Sequence, residues 1–269
     1  MKNLLTLLAV LLTAPALFGQ NGTPPPGGAR SIGMGFTGLT FKDVHAVFSN
    51  SAGLANLERT AVAAFGEQRF LLEELGVYTF GVAVPTNAGT FGLGVQHFGF
   101  EGYNEQRIGL AYARPLSENL SIGGQFLALN TQIEEYGSRL ALTFAVGLQY
   151  QVLPQLELAA HINSPARVEE ANGAFLPTVF SIGARYSPSE RVSLLIEAEK
   201  DIDYAVRTKV GVEYQVVEPF YLRFGAATHP ATVTLGVGYK IAERLWFDVA
   251  SGYHEILGFS PAAGIHYKF

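Results

Sequence analysis

The sequence has no cysteine, one tryptophan and two methionines, and only 15% of its 269 residues are charged. Without cysteine no disulfide can brace the fold and no lipid can be attached through a lipobox. Stability must therefore come from the hydrogen-bonded backbone and from packing. Positive charge is in short supply as well: 18 Lys and Arg stand against 23 Asp and Glu, which argues against general nucleic-acid binding. With 30 glycines and 13 prolines, helices should be few. Long apolar runs are scarce. The single one, Leu4–Phe18, is about fifteen residues, too short to cross a bilayer as a helix. It follows Lys2 and runs into Ala14-Pro15-Ala16-Leu17-Phe18-Gly19-Gln20. A basic start, an apolar run and small residues read as a secretory signal peptide over residues 1–20, cleaved between Ala16 and Gln20.

Recognisable chemistry is missing too. The histidines His45, His97, His161, His229, His254 and His266 are scattered, and no pair has metal-ligand spacing on one element. There is no Gly-x-Ser-x-Gly elbow, no phosphate-binding loop and no Ser/His pair of the kind an outer-wall phospholipase needs. The reading is a non-enzyme with no cofactor and no metal.

What is present is alternation. From about Thr60 onward, apolar residues recur with period two, the pattern of strands. In Thr232–Ile241, Val233, Leu235, Val237, Tyr239 and Ile241 share one face, while Thr232, Thr234, Gly236, Gly238 and Lys240 share the other. The stretches around Val206–Val216, Leu140–Tyr150 and Leu245–Ala250 repeat the scheme. The apolar faces carry almost no charge over nine to eleven residues, roughly the span of a tilted strand in a bilayer. The opposite faces are rich in Gly, Gln, Arg and Glu. A soluble sandwich would bury its apolar face; a barrel in lipid turns that face outward. The fold class expected is therefore all-β: a 14-stranded antiparallel transmembrane β-barrel over residues 60–269. Its strands fall near 60–69, 75–84, 89–98, 104–114, 119–130, 138–151, 155–163, 177–186, 191–199, 204–216, 219–226, 231–241, 244–253 and 261–269.

Every second connection is tight, as in Pro85-Thr86-Asn87, Ser187-Pro188-Ser189-Glu190 and Ala242-Glu243; the intervening ones, such as Glu67–Glu74, Phe98–Glu105, Thr131–Gly137 and Asn163–Phe175, are longer and polar. Short turns on one side and longer loops on the other are the mark of an outer-membrane barrel, with the turns in the periplasm. Tyr112, Tyr150, Tyr186, Tyr214, Tyr239 and Tyr267 sit near the inferred turn ends and suit an aromatic girdle. The last strand ends on Tyr267-Lys268-Phe269, which resembles the signal read by the barrel-assembly machinery, a partner in biogenesis. The remaining partner expected on these grounds is outer-membrane lipid.

Residues 21–59 do not alternate. Apolar residues such as Ile32, Met34, Phe36, Val44, Val47 and Leu54 argue against a disordered tail. A fourteen-strand barrel is wider than its own side chains fill, so the segment is expected to enter the lumen as a plug. Asp43 can cap a short helix and Gly53 can end one. Arg30, Asp43 and His45 are its candidates to grip the wall. By parity the inward charges include Arg107, Arg139, Glu157, Arg185, Glu197, Glu199, Arg207, Lys209, Glu213, Arg223, Lys240, Asp248, His266 and Lys268. Mixed signs suggest ion pairs bracing wall and plug, since a selective ion pore concentrates one sign.

The stretch Gly28-Ala29-Arg30, then Gly33-Met34-Gly35, followed by Asp43 and by Ala46-Val47-Phe48-Ser49-Asn50-Ser51-Ala52-Gly53-Leu54-Ala55, resembles the start of FadL-like outer-membrane proteins. It is closer still to the PorV/PorQ-type branch common in Bacteroidota. The resemblance implies a lumenal hatch ahead of a fourteen-strand barrel. The family's Asn-Pro-Ala motif maps to Asn50-Ser51-Ala52, with Ser51 in place of proline. The resemblance also implies two functions: passage of a hydrophobic small molecule through a plugged barrel, or an accessory, cargo-binding role with a secretion-system protein in type IX secretion. The short, polar loops count against a large capture groove and against a large docking surface alike.

Overall fold

The structure, a computed structural model, describes residues 25–166, 168, 169 and 175–269. The expected signal peptide lies outside the described residues, as do Arg167 and residues 170–174 of one loop. Fourteen antiparallel strands close into a barrel in which each pairs with its sequence neighbours and the first pairs with the last. They are β1 (Ala61–Gln68), β2 (Gly76–Thr86), β3 (Gly89–Phe100), β4 (Tyr103–Pro115), β5 (Leu120–Ile133), β6 (Gly137–Leu153), β7 (Leu156–Asn163), β8 (Val179–Ser189), β9 (Val192–Asp201), β10 (Arg207–Val217), β11 (Phe220–Ala227), β12 (Thr232–Ala242), β13 (Leu245–His254) and β14 (Gly258–Lys268). Closure leaves no sheet edge for another chain to pair with. No helix among the described residues is long and apolar enough to cross a membrane, so the strands are the elements to examine.

Their faces divide as alternation requires. In β12, Thr232, Thr234, Gly236 and Gly238 are buried, while Val233, Leu235 and Tyr239 are each about half exposed. Burying apolar side chains drives folding in water. Here the large apolar side chains point outward and the buried inner face is built from Gly, Ala, Thr, Gln and ionised groups, an arrangement suited only to a lipid exterior. Tyr112, Tyr150, Tyr186, Tyr214 and Tyr239 are exposed on the outside near the tight-turn end.

The ladders run further than the apolar pattern. β5 and β6 stay paired up to Ile133 and Gly137, so the expected loop Thr131–Gly137 shrinks to residues 134–136. Likewise Phe100 pairs with Tyr103, and the expected loop Phe98–Glu105 shrinks to residues 101–102. Apolar alternation stops where lipid contact stops, but backbone hydrogen bonding does not. β1 and β11 are shorter, at eight residues each, and so is β7. Beyond it the chain turns inward, and Val168 and Leu176 pack on Leu127, Leu129, Ala141 and Ala145 of the inner wall.

Residues 25–58 lie inside the barrel, and most are fully buried. A short helix, α1 (Gly28–Gly33), packs against β11–β14 and β1. Two 3-10 turns follow. Val44–Val47 meets β1–β3, and Ser51–Asn56 meets β3–β6 before the chain leaves for β1 at the tight-turn end. Asp43 caps the first turn, accepting the His45 N–H at 2.9 Å, and Asn50 caps the second, accepting the Ala52 N–H at 3.1 Å. Gly53 does not end a helix as expected; it sits within the second turn, where a Cβ would lie 1.9 Å from the Phe41 carbonyl oxygen. Ser51 occupies the first position after the cap, where a proline fits without costing a helical hydrogen bond. Serine at this position likewise continues the turn from the Asn50 cap.

Candidate functional site

Two sites share the lumen: the seam that holds the plug, and the space above it.

The seam is ionic at its centre. Arg30 of α1 makes a two-pronged contact with Glu213 on β10, at 2.7 and 2.9 Å, and its third nitrogen donates to Asp43 at 2.9 Å. Glu213 is shared with Arg223 on β11 at 2.7 Å, and Arg223 reaches on to Asp248 of β13 at 2.6 Å. Asp248 faces the His266 ring 3.9 Å away. His45 meets His266 edge-on, and His266 stacks flat on Trp246, with centroids 5.2 and 4.7 Å apart. Burial opposes ionisation of Asp43, but the charges of His45, Arg30 and His266 and the His45 N–H outweigh it and hold the carboxyl at about 2. Of these the guanidinium is charged at every working pH, so Asp43 and Arg30 stay paired.

Around this centre, side chains of the wall take up the backbone groups the irregular plug leaves open. Glu197 accepts the N–H of Gly38 and of Leu39, at 2.6 and 2.8 Å. Gln149 donates to the carbonyls of Leu39 and Phe41, and Gln125 to that of Val47. Thr234 accepts from the Gly35 N–H. Asn50 donates to Leu39 within the plug and to Leu148 on the wall, both at 3.1 Å. Lys42 pairs with Glu157 at 3.1 Å. Where the backbones approach most closely, the wall is glycine: a Cβ on Gly225 would lie 2.0 Å from Gly35 N, and one on Gly123 2.3 Å from Ala52 N.

The structure thus brings together Arg30, Asp43, His45, Asn50, Glu157, Glu197, Glu213, Arg223, Asp248 and His266 of the residues singled out by sequence. The others lie elsewhere. Lys240 pairs with Glu218 of a tight turn at 3.1 Å, so it belongs to the rim rather than the lumen, a displacement set by its position near the strand end. Arg185 donates to Ser193 and Arg107 to Asn163, while Lys209 pairs with Glu199. Arg207 lies over the Phe36 ring at 4.9 Å. Ala52 and Gly53 serve by being small. Tyr267 and Phe269 form an edge-on pair at the barrel seam, where the Phe269 N–H donates to Thr60. Sequence reasoning did not single out Gln125, Gln149 and Thr234. Their trace in the sequence was glutamine and threonine at inward positions beside glycine.

Above the plug, on the side of the longer loops, a cavity of about 630 Å³ remains. Its aromatic lining comes from Phe36 and Phe48 of the plug and from Phe70, Phe98, Phe100 and Tyr103 of the wall. Glu67, Arg69, Glu105, Glu197, Glu199, Arg207 and Lys209 bring charge to the same space. Arg69 is paired with Glu67 and lies over Phe98 at 5.4 Å. Phe70 reaches the cavity from a strained turn in which it and Leu71 both have left-handed backbone angles, φ 56° and 62°. The loop rim is less polar than expected, with Leu71, Leu72, Ile256 and Leu257 exposed. It is also acidic. Six of the seven loop-side connections carry a carboxylate (Glu73 and Glu74, Glu101, Glu134 and Glu135, Glu169, Asp203, Glu255), and among their described residues Arg69 is the one Lys or Arg.

No protein-family model matches the sequence. No curated protein matches it either. Solved structures do match. The Pseudomonas putida toluene transporter TodX is similar with a TM-score of 0.70 at 12% identity, over 93% of this chain and 99% of that one. The Ralstonia pickettii toluene transporter TbuX gives 0.66 at 13% identity, over 94% and 100%. A Pseudomonas aeruginosa FadL homologue gives 0.64 at 13% identity, over 91% and 99%. The fold is that of the FadL-like barrels.

Proposed function

We propose that this chain is a non-enzymatic outer-membrane barrel that admits hydrophobic small molecules, with the tight turns in the periplasm and the cavity facing outside. The observation that carries the reading is the cavity: it is lined by six aromatic rings, reaches the loop end and is floored by a seated plug. A pocket of this size, with six aromatic rings set beside charged and polar side chains, suits a ligand of one or two rings or a short chain. The structural neighbours named as toluene transporters support the reading, as does the Gly28–Ala55 resemblance. Passage past the plug would require the seam to loosen, because the plug meets the wall on all sides from β1 to β14.

The test is uptake in a Gram-negative host whose lipopolysaccharide layer resists apolar solutes. Expression of the chain is expected to raise the initial uptake rate of ethylbenzene several-fold, and deletion of residues 25–58 to raise leakage further. Unchanged uptake, together with co-purification of a large secretion translocon, would instead favour the accessory role that the PorV-type resemblance implies.

A further inference from the structure

We infer that the preferred solutes of the cavity are aromatic molecules bearing a carboxylate, which the Arg207 guanidinium receives; this rests on the uptake reading above and narrows it to amphipathic anions. Three observations converge.

The first is a guanidinium with nothing to hold. Arg207 of β10 lines the cavity, and among the described residues it has neither a hydrogen bond nor an ion pair. Its Nε is enclosed without an acceptor, so the donors it offers the cavity are its two terminal nitrogens. A guanidinium stays charged at every working pH, and a partly buried charge without a partner is costly. Arg207 does sit over the Phe36 ring at 4.9 Å. That contact draws the cation to the π face but supplies no acceptor for its N–H groups. A planar carboxylate would supply two, in the paired geometry that suits a guanidinium.

The second is the charge around it. Glu199, Arg69 and Glu67 are the charged neighbours of Arg207. Both carboxylates are already taken: Glu199 holds Lys209 at 2.6 Å, and Glu67 holds Arg69 at 3.3 Å. Three cations thus face two carboxylates, and one added anion balances the group. Glu105 accepts from the Tyr103 hydroxyl at 2.6 Å, and Glu197 from the Gly38 and Leu39 N–H groups, so these two are occupied as well.

The third is the apolar setting. Arg69 lies over Phe98 at 5.4 Å, so both guanidiniums stand beside aromatic rings of the lining. Phe36 has a left-handed backbone angle, φ 65°, which a residue with a side chain adopts only at a cost, and this strained turn holds its ring under Arg207. A solute with a ring two or three bonds from its carboxylate reaches the cation and the rings together. The acidic rim lies at the mouth, where it acts chiefly on the rate at which an anion arrives.

Three probes of one scaffold separate the alternatives: ethylbenzene, 2-phenylethylamine and 3-phenylpropionate. Binding to the full barrel in lipid nanodiscs is measured by equilibrium dialysis at pH 7 against empty nanodiscs, a readout independent of the rate of entry. Phenylpropionate is expected to bind about tenfold more tightly than ethylbenzene, the worth of one charge-assisted contact, with the amine weakest. Arg207→Gln should erase that advantage. Arg207→Lys, which keeps the charge and loses the planar fork, should retain part of it. Arg244→Gln, at a tight turn, should retain all of it. Each variant is first checked for migration as a folded barrel before heating. Phenylpropionate binding no more tightly than ethylbenzene in the parent would overturn the inference while leaving the uptake reading in place. An advantage that persists undiminished in both Arg207 variants would do the same. Binding of none of the three would overturn the uptake reading and the inference with it.

Discussion

Replacing Arg30 by methionine is expected to destabilise the seated plug by about 3–5 kcal/mol, the usual cost of removing one partner from a buried ion pair. Methionine keeps much of the side chain's apolar length, so the loss is mainly electrostatic. Asp43 is left without its guanidinium, and Glu213 retains only Arg223. Removing either carboxylate alone is milder, because each leaves Arg30 one acidic partner. The barrel itself should survive, since its ladder does not pass through Arg30. The expected phenotype is therefore a barrel that still migrates as folded before heating but shows frequent openings in planar bilayers, where the parent is mostly closed. Adding Asp43→Asn to the methionine variant should recover part of the closure, because it removes one of the stranded charges. A methionine variant as closed as the parent would mean that the ionic centre does not hold the plug.

The second large effect is steric, and two adjacent residues serve as test and control. A Cβ on Gly123 would lie 2.3 Å from Ala52 N and 2.4 Å from Ser51 C. Both are backbone atoms of the plug, and no rotamer can relieve the overlap. On the next residue, Gly124, a Cβ faces the outside, with its nearest neighbour the Ala145 carbonyl oxygen at 3.9 Å. Gly123→Val is thus expected to unseat the second 3-10 turn and open the lumen, with an effect comparable to that of Arg30→Met. Gly124→Val should conduct like the parent, and β-branched valine suits a strand. Bilayer recordings of the two variants side by side decide the point. Equal behaviour of the pair would contradict the placement of the plug against β5.

These two predictions draw on different depths of legibility. The strands were readable because a lipid exterior forces large apolar side chains onto one parity, as in Val233, Leu235, Val237 and Tyr239. The same force explains the misplaced ends. Thr131, Gln132 and Ile133 continue the ladder without the apolar alternation, so only backbone pairing shows them as strand. Parity also put Arg223, Glu213 and Asp248 inside. It could not say that they meet Arg30, because that depends on the path of an irregular segment with no period. The cap at Asp43 was readable from residue type; the role of Gly53 was not, since its demand for a missing Cβ comes from the Phe41 carbonyl twelve residues earlier. Lys240 had the right parity and the wrong height, because parity carries no information about position along the barrel axis. The cavity was the least legible feature. It is defined by what the plug leaves empty.

The absence of cysteine makes the central claim, a plugged barrel open to the outside, directly measurable. Ser181 lines the cavity, and Ser121 is an inward residue of β5 two positions below Gly123, toward the tight-turn end. Each is replaced singly by cysteine in cells, and a membrane-impermeant maleimide is added from outside. The account predicts that Ser181→Cys is labelled and Ser121→Cys is not, and that Gly123→Val exposes the latter. Labelling of both positions in the parent background would contradict the plug, and labelling of neither would contradict the outward-facing cavity.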